Sequence, residues 1–168
     1  MADIIRQQRL RLRPIASSDA RSLERLLLGD AEAIAMTERL PDPCTQAAAL
    51  AWIERRQGPG QHVFALETIE IGEFIGCIGF VQTGDTAGLG YWIGRPYWNY
   101  GYATEAGRAV LDDARGLGVR TVLAETFLDN PASARVLSKL GFVPAGHVDK
   151  DLPQRGGRRR LLQFQRAL

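Results

Sequence analysis

The stretch Gly88–Ala114, with the sequence GLGYWIGRPYWNYGYATEAGRAVLDDA, decides the fold. Its first residues, Gly88–Ile93, are mainly apolar and predict a strand, and an aromatic turn leads from there into an amphipathic helix. Small or apolar residues recur along one face of that helix, at Ala103, Ala106, Val110, Ala114 and Leu117. This spacing predicts a helix that packs against a sheet.

The turn of this stretch, Trp98–Ala103, has the chemistry of a phosphate site. The start of a helix leaves backbone N–H groups unpaired and carries a partial positive charge, so it can hold a pyrophosphate without a lysine. Gly101 and Ala103 are small enough for a ligand to approach the backbone closely. Small residues at such a turn are equally typical of simple packing, so the turn alone leaves both interpretations open.

The composition predicts one globular domain over residues 1–168, with its core over about 9–168. Of the 168 residues, 45% are hydrophobic, which is enough to fill a core on both faces of a sheet. The net charge is only +2. That balance disfavours a nucleic-acid binder that works by bulk electrostatics, and no nucleic-acid partner is expected.

Membrane, metal and disulfide chemistry are not expected either. The longest apolar run is far shorter than a membrane span. His62 and His147 are isolated, and no cluster of Cys and His has ligand spacing, so no metal is expected. Cys44 and Cys77 lie far apart in a sequence without a signal peptide, which predicts reduced thiols in the cytoplasm.

The order of predicted elements is that of a mixed α and β protein. Residues 9–14 alternate basic and apolar side chains, as a half-buried strand does. The predicted elements after it are a helix capped by Ser17, Ser18 or Asp19, an irregular segment over 31–43, a helix from Thr45, strands over 62–68, 73–82 and 87–93, the central helix, a strand over 121–127, a helix from Asn130, and a closing hairpin of residues 142–147 and 161–166. A parallel pairing is plausible for the strand that the central helix precedes, because a helical crossover joins parallel strands.

Two motifs lie in order on these elements. The first is Gly90-Tyr91-Trp92-Ile93 followed by Tyr97–Ala106, and the second joins Asn130-Pro131-Ala132-Ser133 to Lys139-Leu140-Gly141-Phe142. Together they resemble the acetyl-CoA pyrophosphate loop and the Asn-x-x-Ser helix of the GCN5-related N-acetyltransferase (GNAT) family, specifically its ribosomal-protein N-terminal (Rim-type) branch. Trp98 and Asn99 depart from the residues usual in that loop, although Asn tolerates a positive φ better than most residues.

The resemblance implies an α+β (mixed α/β) fold with a mostly antiparallel, twisted sheet of about seven strands. It also implies four flanking helices and a splay between the fourth and fifth strands. The activity it implies is transfer of an acetyl group from acetyl-CoA, as cosubstrate, to a primary amine by direct attack in a ternary complex. The amine would belong to a small molecule or to a peptide or protein N-terminus, and the protein would be a monomer or homodimer.

The same resemblance assigns the cofactor contacts. Backbone groups of Leu89, Tyr91 and Ile93 would contact the pantetheine arm and acetyl group. The pyrophosphate would lie on backbone N–H groups of Trp98, Asn99, Tyr100, Gly101, Tyr102 and Ala103. Arg135 and Lys139 could meet the 3′-phosphate, although either side chain can equally be solvated.

The resemblance also assigns catalytic roles. On periodicity alone Asn130 is a helix N-cap and Ser133 a first-turn residue. By resemblance Asn130 would contact the cofactor arm, and Ser133 would lie near the sulfur, where it would donate a proton or orient a water. No tyrosine follows in that helix where many relatives carry a general acid, so that role passes to Ser133 or to water. Glu125, near the end of its strand, is the candidate base, although an exposed strand carboxylate is common.

The acceptor is the least determined part. By resemblance, residues 31–43 and 149–160 would flank its entrance on the side of the sheet opposite the cofactor. Four basic residues in the second segment, Arg155, Arg158, Arg159 and Arg160, would favour an acidic acceptor, although a solvated turn is an equal interpretation. Two other function classes stay open: a non-catalytic acyl-CoA-binding sensor, and an ordinary nucleotide-binding protein. The antiparallel meander before the turn disfavours the latter.

Overall fold

Eight strands and five α-helices make up the part of the chain that the structure, a computed structural model, describes, residues 4–168. The strands are β1 (Ile5–Arg6), β2 (Leu10–Pro14), β3 (Gln61–Thr68), β4 (Phe74–Thr83), β5 (Thr86–Ile93), β6 (Thr121–Phe127), β7 (Val143–Leu152) and β8 (Gly157–Ala167). The helices are α1 (Ala20–Leu27), α2 (Ala31–Ala35), α3 (Gln46–Glu54), α4 (Tyr102–Gly116) and α5 (Pro131–Lys139).

The strands form one sheet in the order β1-β2-β3-β4-β5-β6-β8-β7. Every neighbouring pair is antiparallel except β5 and β6, which are parallel because α4 joins them as a crossover. The parallel pairing runs only from Thr86 opposite Thr121 to Leu89 opposite Ala124. Beyond that point the two strands separate, which confirms the predicted splay and opens the sheet at its centre.

The sheet and helix counts differ from the expectation of about seven strands and four helices. β1 is a two-residue strand, too short to show a period-two pattern in the sequence. α2 lies inside the segment 31–43, which was expected to be irregular, and begins because Asp30 Oδ1 accepts a hydrogen bond from Ala33 N (3.0 Å). The closing hairpin is also longer than expected, since β7 and β8 continue to a short turn over 153–156.

The central helix follows its predicted stripe over most of its length. Ala106, Val110 and Ala114 are buried, but Leu117 is 47% exposed because α4 ends at Gly116. The stripe continues through residues that the pattern did not single out, namely Gly107 and Leu111. At Gly107 an added Cβ would collide with Leu140, the residue that follows α5, so the chain packs there against α4 at close range.

The core has two parts, one on each face of the sheet. α4 and α5 cover the face to which Leu89 and Val122 belong, and α1 and α3 cover the face to which Cys77 and Trp92 belong. α3 begins as predicted at Thr45, whose Oγ1 accepts a hydrogen bond from Ala48 N (3.2 Å). We call the face of the sheet that α1 and α3 cover the α1/α3 face. Within residues 4–168 no helix is long and apolar enough to cross a membrane.

Candidate active site

A cleft of about 750 Å³ opens where β5 and β6 separate. The site residues that the sequence predicted line this cleft, with the exception of Tyr100: Leu89, Tyr91, Ile93, Trp98, Asn99, Gly101, Tyr102, Ala103, Glu125, Asn130, Ser133, Arg135 and Lys139. Tyr100 instead lines a smaller hollow on the other side of the loop and is 62% exposed. The fold therefore brings residues from four separate elements to one opening.

The loop before α4 has the backbone shape of an anion site. Asn99 and Gly101 both have positive φ, 68° and 81°, and the left-handed region suits exactly these two residue types. Trp98 N donates to the carbonyl oxygen of Arg95 (3.2 Å), so one of the predicted donors is already engaged. The backbone N–H groups from Asn99 to Thr104 donate no hydrogen bond to any acceptor in residues 4–168. Successive free donors of this kind attract anions.

Arg9 holds this loop from behind. Its Nε donates to Glu105 Oε2 (2.8 Å), its backbone N donates to Glu105 Oε1 (2.8 Å), and its Nη1 donates to the carbonyl oxygen of Tyr100 (2.9 Å). The guanidinium also lies 4.7 Å from the ring centre of Tyr102. The sequence pattern around Arg9 predicts only a strand, because nothing local links this residue to one 96 positions away.

Tyr91 and Ser133 meet across the cleft. The Tyr91 Oη and Ser133 Oγ atoms are 2.7 Å apart. Burial raises the pKa of Tyr91 to about 12, against a smaller opposing effect of the hydrogen bond with Ser133. Ser133 N donates to Asn130 Oδ1 (3.1 Å), so Asn130 does act as the N-cap of α5. From the sequence, Tyr91 was expected to contribute only backbone groups, and the helix after Asn130 offers no tyrosine hydroxyl for this place.

Glu125 belongs to an ionic cluster on the opposite wall. Lys150 of β7 donates to Glu125 Oε2 and also to Glu38 Oε2, the latter at 3.0 Å. Gln163 Nε2 donates to the other Glu125 oxygen at 3.3 Å. Burial alone would lower the pKa of Lys150, but the two carboxylates more than offset this and raise it. Lys150 and Glu38 were not predicted as site residues, because they become neighbours only when the hairpin folds over residues 31–43.

The four arginines of the hairpin do not form one basic surface. Arg155 is buried and donates to the carbonyl oxygens of Thr37 (2.6 Å), Leu40 (2.6 Å) and Gln154 (2.9 Å). Arg158 and Arg160 both pair with Asp149, at 3.3 and 2.8 Å.

Arg159 points a different way from its neighbours. Its guanidinium stacks 5.1 Å from the ring centre of Phe127, a residue of the cleft wall. The four arginines on which the expectation of an acidic acceptor rested therefore contact separate structural partners.

Comparisons with known proteins agree with this geometry. The family model described as acetyltransferase (GNAT) domain matches residues 9–143. The chain is 32% identical to YkkB of Bacillus subtilis (strain 168), described only as an uncharacterized protein, over 142 residues that cover 80% of this chain and 81% of that protein. It is 29% identical to YoaA of the same organism, described as an uncharacterized N-acetyltransferase, over 93% of this chain and 92% of that protein.

The fold is also similar to that of solved acetyltransferase structures. Mycobacterium smegmatis RimJ in complex with CoA-disulfide superimposes with a TM-score of 0.84 at 21% identity, covering 98% of this chain and 87% of that chain. At this identity the likeness shows a shared fold. The family model, by contrast, matches most of the chain and spans both the loop and the splayed strands. The chain therefore belongs to the GNAT family of N-acetyltransferases, which use acetyl-CoA as cosubstrate.

Proposed function

We propose that this protein transfers the acetyl group from acetyl-CoA directly to a primary amine while both substrates lie in the cleft between β5 and β6. The observation that carries the proposal is the run of free backbone N–H groups over 99–104, located where the splayed strand β5 leads into α4. These donors would bind the pyrophosphate, and the edge of β5 that is unpaired beyond Leu89 would receive the pantetheine arm through Tyr91 and Ile93, with Leu89 at the point of separation. A single opening then serves both parts of the cosubstrate.

The adenosine end would lie along α5. Arg135 and Lys139 are exposed on this helix, four residues apart and therefore on one side of it, and both line the cleft. Neither side chain has an ion-pair partner among residues 4–168. Two free cations on the same helix face suit the 3′-phosphate of the cosubstrate. Asn130, whose Oδ1 caps the helix, retains its amide group for the cofactor arm.

Ser133 and Tyr91 would supply the proton for the departing thiolate. The amine nitrogen forms a bond to the thioester carbon, and the C–S bond then breaks, leaving a negative charge on sulfur. The Ser133 hydroxyl is the donor to that sulfur, and Tyr91 is in turn placed to donate to Ser133 Oγ. Because its raised pKa keeps the phenol protonated at neutral pH, Tyr91 can stand in for the helix tyrosine that this chain lacks.

Glu125 would take the proton that the amine loses. Its ion pair with Lys150 fixes the position of the carboxylate. A water molecule between the amine and Glu125 would complete the transfer. The base lies on β6, whereas the acid pair joins Tyr91 of β5 to Ser133 of α5, so the acetyl group would react between them.

Membership of the GNAT family implies that the acceptor is an amine, without naming which one. The resemblance of the two sequence motifs to the Rim-type branch is a reason to include peptide N-termini among the candidates. Small-molecule amines are the other candidates. We further propose that the whole chain acts as a single acetyltransferase domain, as a monomer or homodimer without a metal or nucleic-acid partner.

Free-thiol release from acetyl-CoA tests the proposal. The protein is assayed with a panel of N-terminal peptides, amino acids, polyamines and aminoglycosides, and each product is examined by mass spectrometry for an added acetyl group. We expect thiol release that requires both the protein and one class of amine. Tight binding of acetyl-CoA without thiol release above background for any amine would instead identify a non-catalytic sensor.

A further inference from the structure

The α1/α3 face of the sheet is open beside the splay. Leu89 and Tyr91 pack toward α4, whereas the alternate residues of β5, Gly88 and Gly90, belong to the opposite face together with Trp92. A Cβ added at Gly88 or Gly90 would meet no atom of residues 4–168 within 4 Å. The acceptor side of the cleft therefore has a floor without side chains, and its selectivity depends on its walls.

One wall presents a cation without a counterion. Arg56, just after α3, lines the cleft and is half-buried, with its guanidinium 5.3 Å from the ring centre of Trp52. Burial lowers the pKa of Arg56, and the nearby Arg39 and Arg55 add to this effect. No carboxylate in residues 4–168 forms an ion pair with it. A half-buried cation surrounded by like charge is unfavourable unless an anion arrives to pair with it.

Two hydrogen-bond donors that line the cleft have no acceptor in residues 4–168. They belong to Trp52, on the wall of Arg56, and to Trp92 of β5, which are 7% and 5% exposed. Their indole Nε1 atoms are buried, and no atom of the described residues accepts a hydrogen bond from them. Buried donors are normally satisfied, so these two exceptions mark the cleft on the α1/α3 face as short of acceptor oxygens.

The opposite wall has the reverse character. Glu38 and Glu125 share the single cation Lys150, which leaves this cluster with a net charge of −1. A primary amine is drawn to such a cluster, and Glu125 is the proposed proton acceptor. The acceptor cavity is thus negative where the amine must react and positive at the wall formed by Arg56 and Trp52.

From this polarity we infer that the acceptor is a small amino carboxylate, with its amine at Glu125 and its carboxylate at Arg56. This inference rests on the proposed acetyl transfer and names its substrate class. It differs from the expectation based on the hairpin, because Arg155, Arg158 and Arg160 are committed to other partners whereas Arg56 is not. Polyamines and aminoglycosides lack the group that would satisfy this wall.

The inference is tested by changing the protein and the acceptor in the same experiment, so that the effect of each change is compared with and without the other. Amino acids and their carboxamides are compared as acceptors with the parent protein, with Arg56→Gln and with Arg55→Gln. Arg55 is the matched control because it carries the same charge one residue earlier but is exposed and does not line the cleft. The amine pKa differs between an acid and its amide, but this difference cancels because the same pair is used with each variant.

We expect the ratio of kcat/KM for acid over amide to fall by about tenfold or more in Arg56→Gln, since a hydrogen-bonded charge pair is lost, and to stay unchanged in Arg55→Gln. Equal ratios in all three proteins, or a panel led by a polyamine or by a peptide without a nearby carboxylate, would overturn the inference and leave the acetyl transfer standing. Thiol release with none of the amines would overturn both.

Discussion

The hydroxyl groups of Tyr91 and Ser133 lie 2.7 Å apart and join β5 to the first turn of α5 across the cleft. The pair is 42 residues apart in sequence, and each partner comes from one side of the opening that would receive the thioester. Two hydroxyls in contact can pass a proton without either group becoming charged for long. The pair is thus the strongest candidate for the group that protonates the departing thiolate.

Ser133→Ala is expected to lower kcat while leaving the dissociation constant for acetyl-CoA nearly unchanged, because a proton donor acts mainly in the transition state. Such donors contribute about 10²–10⁴-fold. Tyr91→Phe should lower kcat less, and the double variant should be no slower than Ser133→Ala, since the two hydroxyls form one relay. Single-turnover rates and calorimetry provide the two measurements. Additive effects would show that the hydroxyls act separately, and unchanged rates would leave the solvent as proton donor.

The pH dependence of kcat provides a second test of the pair. The pKa of Tyr91, raised by burial to about 12, keeps the phenol almost entirely neutral up to about pH 10. Loss of its proton therefore cannot reduce the rate between pH 8 and 10, whereas deprotonation of the acceptor amine should increase it. We expect kcat/KM to rise and then level off in this range. A decrease below pH 10, with the protein still folded by circular dichroism, would contradict the role given to Tyr91.

Arg9 should affect cosubstrate binding only through the loop that it holds. Arg9→Ala removes the hydrogen bonds to Glu105 and to the carbonyl oxygen of Tyr100, so the KM for acetyl-CoA should rise roughly fivefold. The KM for S-acetylpantetheine, which lacks the pyrophosphate, should not change. Arg25→Ala is the control, because Arg25 pairs with Glu73 at 3.6 Å and is similarly exposed. Equal losses with both cosubstrates would indicate general damage to the fold instead.

Arg155 should be needed for stability. Its guanidinium is buried and connects the hairpin to residues 37–40, so Arg155→Met would leave the carbonyl oxygens of Thr37 and Leu40 unpaired. We expect the free energy of unfolding to fall by about 2–3 kcal/mol, with a decrease in Tm of roughly 5–10 °C. Arg158→Met should change little, because Arg158 is 79% exposed. Urea unfolding of both variants measures this difference. Equal free energies of unfolding would show that the contacts of Arg155 with residues 37–40 do not stabilise the fold.

The sequence predicted those parts of the fold that depend on local patterns. The strand of alternating residues near Arg9, the cap at Thr45, the small-residue helix after Gly101 and the parallel crossover all follow from short-range spacing, and the structure has each of them. β1 and α2 were missed because two and five residues are too few to show a period.

The chemistry of the walls could not be predicted in the same way. Tyr91 with Ser133, Lys150 with Glu125, and Arg9 with Glu105 are contacts between residues far apart in the chain, and they form only through sheet order and helix packing. The hairpin arginines show the converse, because neighbours in sequence point to different partners. Successive side chains of a strand point to opposite faces of the sheet. Basic residues that are adjacent in sequence therefore form one binding surface only where their side chains share a face.

The most direct measurement of the central claim is a calorimetric titration of acetyl-CoA into the parent protein, Gly101→Val and Gly29→Val. Both glycines have positive φ, 81° and 86°, so valine strains the backbone at each, but Gly29 does not line the cleft. The account predicts that Gly101→Val, shown to be folded, binds acetyl-CoA at least about tenfold more weakly than the parent, while Gly29→Val remains within about twofold. Binding by Gly101→Val as tight as that of the parent would place the acetyl-CoA site elsewhere on the protein.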